Sequence, residues 1–200
     1  MKKLSKDIDK MLGESGQNIA SLIASSSFDF WNRKDFRLYI NFNSLNKTEQ
    51  DRIFNELEVS VIGLFTLHLD DAILLTTAKE QKIVLDSLQR SIVSGFLKMM
   101  LDLRIESKFL KQWKDLIDMR LEEYTKDFKI GLNESTKWEE FRNEDQKMKF
   151  AWARIETITI DCLTHIRRGK VEKDDPLWKL LRKWFINLDS QIAPISNVDL

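Results

Sequence analysis

Cysteine is nearly absent: Cys162 is the only one among 200 residues. A single thiol cannot close an intramolecular disulfide, which excludes the small secreted scaffolds that depend on such staples. Proline occurs twice and glycine six times. That is too few for a collagen-like or loop-dominated chain, and for most all-β designs, which need turn residues every ~8–12 positions. Charge of one sign is missing as well. Lys and Arg total 32 and Asp and Glu total 32, so the basic excess of a dedicated nucleic-acid binder is not there. The phosphate-cradling runs Gly-x-Gly-x-x-Gly and Gly-x-x-x-x-Gly-Lys do not occur, and neither does a Gly-x-Ser-x-Gly elbow. The most apolar stretch, Val59 to Leu75, is interrupted by His68, Asp70 and Asp71 and is shorter than the ~20 residues of a spanning helix. Lys2, Lys3 and Lys6 are not followed by an apolar run, so we expect no secretory signal and a cytoplasmic protein with a reduced thiol.

What is present is helical periodicity. Hydrophobic residues make up 42% and charged residues 32%, enough apolar side chain for a packed core and enough charge to solvate its outside. Asn46 with Glu49 has capping-box spacing, and the face that follows is Ile53, Leu57, Val61, Leu64, Phe65, His68, Ala72 and Leu75. Thr77 with Glu80 repeats the signal before Val84, Leu88, Ile92, Phe96, Met99 and Leu103. Ser107 can cap a third helix with Leu110, Trp113, Ile117, Leu121, Tyr124 and Phe128 in line and Gly131 beyond its end. Asn143 with Gln146 opens a fourth, with Met148, Ala151, Ile155, Ile158, Cys162 and His165 aligned and Gly169 as the residue after the cap. Asp175-Pro176 places a cap before a first-turn proline and starts a fifth.

The N-terminal part reads differently. Residues 1–27 carry helical spacing broken by Gly13 and Gly16, which suggests a broken or loosely docked helix. Phe36, Leu38, Ile40 and Phe42 alternate with polar residues, the period of a strand, so residues 28–43 read as an aromatic strap with a small hairpin as one form of it. The expected architecture is all-α: an antiparallel up-down bundle of about five long helices over residues 46–200. Residues 1–45 lie on it as a broken helix and strap, one domain overall.

Several residue sets could carry chemistry. His68 with Asp71, and Asp161 with His165, stand three and four residues apart, so each imidazole shares a helix face with a carboxylate. If the two helices face each other, a divalent metal held by His68, Asp71, Asp161 and His165 is the sharp possibility, and two structural histidines the plain one. Cys162 and His165 have C-x-x-H spacing, but a zinc site lacks its other ligands and Cys162 continues a core stripe. Residues 167–183 hold four more basic than acidic side chains. Arg167, Arg168 and Lys170 there could touch nucleic acid, or simply complement a helix C-terminus. Trp178, Leu181, Trp184 and Phe185 form an apolar patch that could dock on the body or on a partner. Gly63 and Gly95, mid-helix, read as points of close helix approach. No catalytic constellation stands out. The expected role is therefore non-catalytic, a regulatory or adaptor-like bundle acting through protein contacts, a homodimer included, with no cofactor. A metal- or small-ligand-binding bundle enzyme is the alternative, and a weak nucleic-acid contact the third reading.

Overall fold

The computed structural model describes residues 2–135, 145–172 and 174–196, with side chains described for 12–134, 145–172 and 174–194. Among the described residues seven α-helices follow one another: α1 (Lys2–Trp31), α2 (Lys34–Tyr39), α3 (Lys47–Leu75), α4 (Lys79–Asp102), α5 (Ser107–Ser135), α6 (Gln146–Ile166) and α7 (Pro176–Ser196), with a 3-10 turn at Phe42–Ser44. The all-α bundle expected from periodicity is what the chain forms. Its long helices alternate in direction. Gln89 of α4 bonds to Thr66 O and Asp70 of α3, and Phe96 packs on Trp113 of α5. Glu56 and Ser60 of α3 meet Arg120 and Tyr124 of α5 in the same order, so these two run parallel. Arg52 reaches the last carbonyls of α6 while Asp71 meets Arg154 near its start.

These pairings make α3 the axis of the molecule. It packs against α1, α4, α5, α6 and α7 and is buried on all sides from Glu56 to Leu69. A single apolar face for this helix was therefore an underestimate: Val59, Ile62, Leu67 and Leu69 are buried too. An all-round apolar helix belongs in a core rather than on its surface. Gly63 allows the innermost contact. A Cβ there would lie 2.7 Å from Tyr124 Cε2; without it the ring lies against the α3 backbone, and its hydroxyl shares a 3.1 Å hydrogen bond with Ser60 Oγ. Gly95 plays the same part between α4 and α1, where a Cβ would come within 2.6 Å of the Gly16 backbone. Both fit the close approach expected at these positions, which offsets the ~1 kcal/mol that a mid-helix glycine costs.

The N-terminal segment departs from expectation. α1 runs unbroken through Gly13 and Gly16, and no strand occurs among the described residues. The hairpin reading fails because Phe36 and Ile40 are also four apart, a helical spacing; both are buried while Leu38 between them is 70% exposed. The aromatic strap is instead the end of α1 and the whole of α2. Phe30 stacks on Trp184 of α7 with ring centroids 4.0 Å apart, and Trp31 packs edge-on against Phe54 of α3 at 5.6 Å. One apolar cluster runs from Leu12 to Ile192 through both parts of the chain.

The helix ends follow local chemistry, with corrections. Asn46 Oδ1 accepts from Glu49 N at 2.9 Å, and Asp175 Oδ1 accepts from Leu177 N at 2.9 Å, with Pro176 as the first helical residue. The second cap expected at Thr77 does not form: α4 starts at Lys79 with Ala78 at the capping position and no side-chain bond there, and the Thr76 hydroxyl accepts from Ala78 N in the turn before it. Ser107 is the first residue of α5, and Gly131 lies inside that helix, which continues to Ser135. Asn143, Trp138 and Phe141 lie outside the described residues; α6 starts at Gln146, with Asp145 as its cap. At the end of α6, Gly169 N donates to Thr164 O and Arg168 N to Leu163's neighbour two on, His165 O. That pattern is a Schellman motif, and Arg168, not Gly169, holds its first left-handed position, with φ at 52°.

Candidate functional site

Charged residues on the core stripes define the site. Arg154 stands in register with Ala151 and Ile158 on α6, and Asp189 with Phe185 and Ile192 on α7. Placed there, a charge must find partners or cost several kcal/mol. Arg154, 4% exposed, donates from Nε and Nη2 to the two oxygens of Asp189 at 2.8 and 2.9 Å. Its Nη1 donates to Asp71 Oδ2. His68 Nδ1 shares a 3.0 Å hydrogen bond with Asp189 Oδ1. One guanidinium thus serves two carboxylates, and all three of its nitrogens are committed.

The two acids respond in opposite ways. Burial works to raise Asp189, but the bonds from His68 and Arg154 outweigh it and hold the carboxyl below its ordinary range. At Asp71 burial wins over the attraction of Arg154 and pushes the pKa up to about 7. Asp71 Oδ1 is buried and has no hydrogen-bond partner. Both acids line a cavity of about 420 Å³ between α3, α6 and α7, together with His68 and Arg154. Its remaining wall sets the apolar Ala72, Leu75, Phe150, Ala151 and Ala193 beside the polar Thr76 and Gln81, and Lys147 stands at its exposed rim. That volume falls at the lower end of the ~300–1,000 Å³ typical of small-molecule sites, and convergent polar groups in an apolar cleft are their usual chemistry.

A second network lies toward the other end of α3. Arg120 of α5 donates to both oxygens of Glu56, at 3.1 and 2.8 Å, and to Glu123 Oε2 at 3.1 Å. His165 Nε2 is 3.0 Å from that same Glu123 oxygen, yet the approach is too oblique for a hydrogen bond and the nitrogen has no other partner. Burial, helped by the Arg120 charge, lowers the His165 pKa. Asp161 faces Asp127 and Glu123; burial first and then these two charges raise it to about 7, and its Oδ2 is buried without a partner.

Each predicted histidine–carboxylate pair therefore stays together, His68 with Asp71 and His165 with Asp161, but the pairs do not meet. α3 and α6 run antiparallel, so His68 lies beside the start of α6 while His165 lies beside the start of α3. Twelve residues of helix separate His68 from Glu56, roughly 18 Å at 1.5 Å per residue. The four residues are not brought to one metal centre, and no group of three or more His, Cys, Asp or Glu side chains suited to a metal occurs among the described residues.

The other sequence candidates are occupied within the chain. Arg167 holds Asp175 with two bonds and donates to Tyr39 O at 3.1 Å, tying α2 to the start of α7. Arg168 pairs with Glu49, and Lys170 is exposed on the turn. Two of the three basic residues are thus clamps rather than a free patch. Leu181, Trp184 and Phe185 are core residues, while Trp178 is half-buried with the Arg182 guanidinium 5.7 Å over its ring. This patch is covered by the chain itself, chiefly by Phe30, so it is not an outward docking surface. Cys162 is fully buried, and burial pushes its thiol well above the ordinary range. Comparison with family models, curated proteins and solved structures finds no match.

Proposed function

We propose that the protein binds a small organic molecule in the cavity between α3, α6 and α7, as a binding protein rather than a catalyst. The observation that carries this reading is Asp71: a side chain 4% exposed, on the wall of a cavity, with one carboxylate oxygen unpartnered. Buried polar atoms are satisfied in the large majority of cases, so an exception beside a cleft marks a place where something else supplies the bond. The neighbouring groups favour binding over reaction. Arg154 and Asp189 are locked to each other, and the one thiol of the chain is buried elsewhere beside Ser60.

The test is a fragment screen read on the methyl resonances of Ala72, Ala151 and Ala193, which line the cavity. Fragments that shift these methyls, and lose that effect in Ala72→Leu with its fold intact, support the reading. A screen in which nothing moves them overturns it.

A second reading keeps the protein-contact role but moves its surface. The turn between α4 and α5 exposes Leu101, Leu103, Ile105 and Phe109 within nine residues, a concentration of apolar side chains that suits contact with a second copy of this chain. Sedimentation equilibrium tests it: association weakened by Leu103→Glu with Phe109→Ser supports the contact, and a monomer at all concentrations refutes it.

A further inference from the structure

We infer that the inner end of this cavity receives a protonated amine carried on a short hydrocarbon body, with the ammonium against Asp71 and the chain along Leu75, Phe150 and the alanines. The inference rests on the ligand-pocket reading above and names its ligand class. Five charged or titratable groups face the space: Asp71, Asp189, Arg154, His68 and Lys147. Among the buried ones, two carboxylates share one guanidinium. Asp189 is balanced by two bonds from Arg154 and one from His68. Asp71 receives a single nitrogen of the same arginine and keeps an unpartnered oxygen. Two carboxylates thus stand against the one permanent cation, Arg154, and Asp71 is the acid left with an oxygen open to a donor; an ammonium group supplies a donor and a positive charge at once.

The same arrangement argues against other classes. An anionic ligand would meet two buried carboxylates, and the guanidinium needed to hold it is already committed to them. A neutral hydroxyl would supply the donor but leave the charge deficit in a poorly solvated place. A metal ion would have to compete with Arg154 for Asp71 Oδ2. Lys147 refines the assignment. Standing at the exposed rim, it repels a simple cation and attracts a carboxylate, so an amine with a distant carboxylate fits better than a bare alkylamine.

Four six-carbon probes separate these classes: hexylamine, 6-aminohexanoate, hexanoate and 1-hexanol, titrated into the full chain and followed on the alanine methyls. The expected result is saturable binding of both amines, at least tenfold tighter than hexanoate or hexanol. Asp71→Asn should weaken both amines at least tenfold while leaving hexanol unchanged. Lys147→Gln, an exposed substitution that leaves folding intact, should weaken 6-aminohexanoate and tighten hexylamine. Affinity for the amines should rise between pH 6 and 8, as Asp71 loses its proton while the alkylammonium, like that of lysine near 10.4, keeps its own. Hexanoate or hexanol binding at these methyls as tightly as the amines overturns the amine assignment and leaves the pocket reading standing. Failure of all four probes overturns the assignment as well, and the fragment screen then decides the pocket separately.

Discussion

Replacing Arg154 by methionine isolates the buried charge network, because methionine keeps much of the stem's packing and removes all the charge. In the native chain the guanidinium makes three hydrogen bonds to two carboxylates. Without it, Asp71 and Asp189 are left buried beside each other, 4% and 8% exposed. Removing one partner of a buried pair costs about 3–5 kcal/mol, because the remaining charge loses its compensation. That is a large share of the ~5–15 kcal/mol of a typical domain. The cost should depend on pH with a definite sign. Both orphaned acids would have raised folded-state pKa values, so the variant is least destabilised in acid and loses stability as pH rises through those values. Urea unfolding at pH 8 and pH 5 measures both numbers. We expect a loss of about 3–5 kcal/mol at pH 8, smaller by at least ~1 kcal/mol at pH 5, with Asp71→Asn and Asp189→Asn together recovering much of it. A loss below ~1 kcal/mol at pH 8, or one independent of pH, would refute the reasoning.

Other outcomes follow from single positions. Gly63→Ala should cost ~1–3 kcal/mol by thermal denaturation, because its Cβ meets the fully buried Tyr124 ring. Gly13→Ala, with nothing within 4 Å, should gain up to ~1 kcal/mol from helix propensity; equal effects at the two sites would contradict the helix packing. Burial lifts Glu58 to about 8 and Asp71 and Asp161 to about 7, so the folded chain keeps protons that the unfolded chain releases. Stability from these groups is complete below their ordinary range and is lost as pH rises toward 8, by up to ~1.4 kcal/mol per pH unit for each group. Glu58→Gln should flatten that slope in denaturation curves from pH 5 to 8; an unchanged slope would contradict its burial. Cys162 should resist a thiol reagent in the native protein and react on unfolding in urea, and rapid native labelling would contradict its place in the core.

The fold was legible in the sequence wherever helix periodicity and caps agreed. Asn46, Asp175 and Pro176 do what their types and spacing dictate, and the middles of the α4 and α5 stripes are buried, at Leu88, Ile92 and Phe96 and at Ile117, Tyr124 and Phe128, whereas Leu103 at the end of the α4 stripe is exposed. It was misread where a pattern supports two periods. Phe36 and Ile40 satisfy a strand's alternation and a helix turn alike, and only the exposure of Leu38 decides between them. Gly169 does have a left-handed backbone, with φ at 75°, but the first such position falls one earlier, on Arg168, whose pairing with Glu49 accompanies the strained backbone. The left-handed position costs roughly 1 kcal/mol or more for a non-glycine residue.

The candidate site was half legible. His68 and Asp71 stood out because histidines are rare here and the spacing joins them on one face. Their true partners, Arg154 and Asp189, did carry a signal: each is a charge on an otherwise apolar stripe. Which helices face each other is a tertiary fact, however, and periodicity within one helix does not contain it. The antiparallel arrangement of α3 and α6 is what separates His68 from His165 and gives each a different arginine.

The most direct test is the titration of the Asp71 carboxyl, followed by carbon NMR with and without saturating hexylamine. In the free protein the midpoint should lie near the raised value of about 7, and bound amine should lower it by at least ~1 pH unit. A midpoint already in the ordinary carboxylate range, or one that the amine leaves in place, would contradict that expectation.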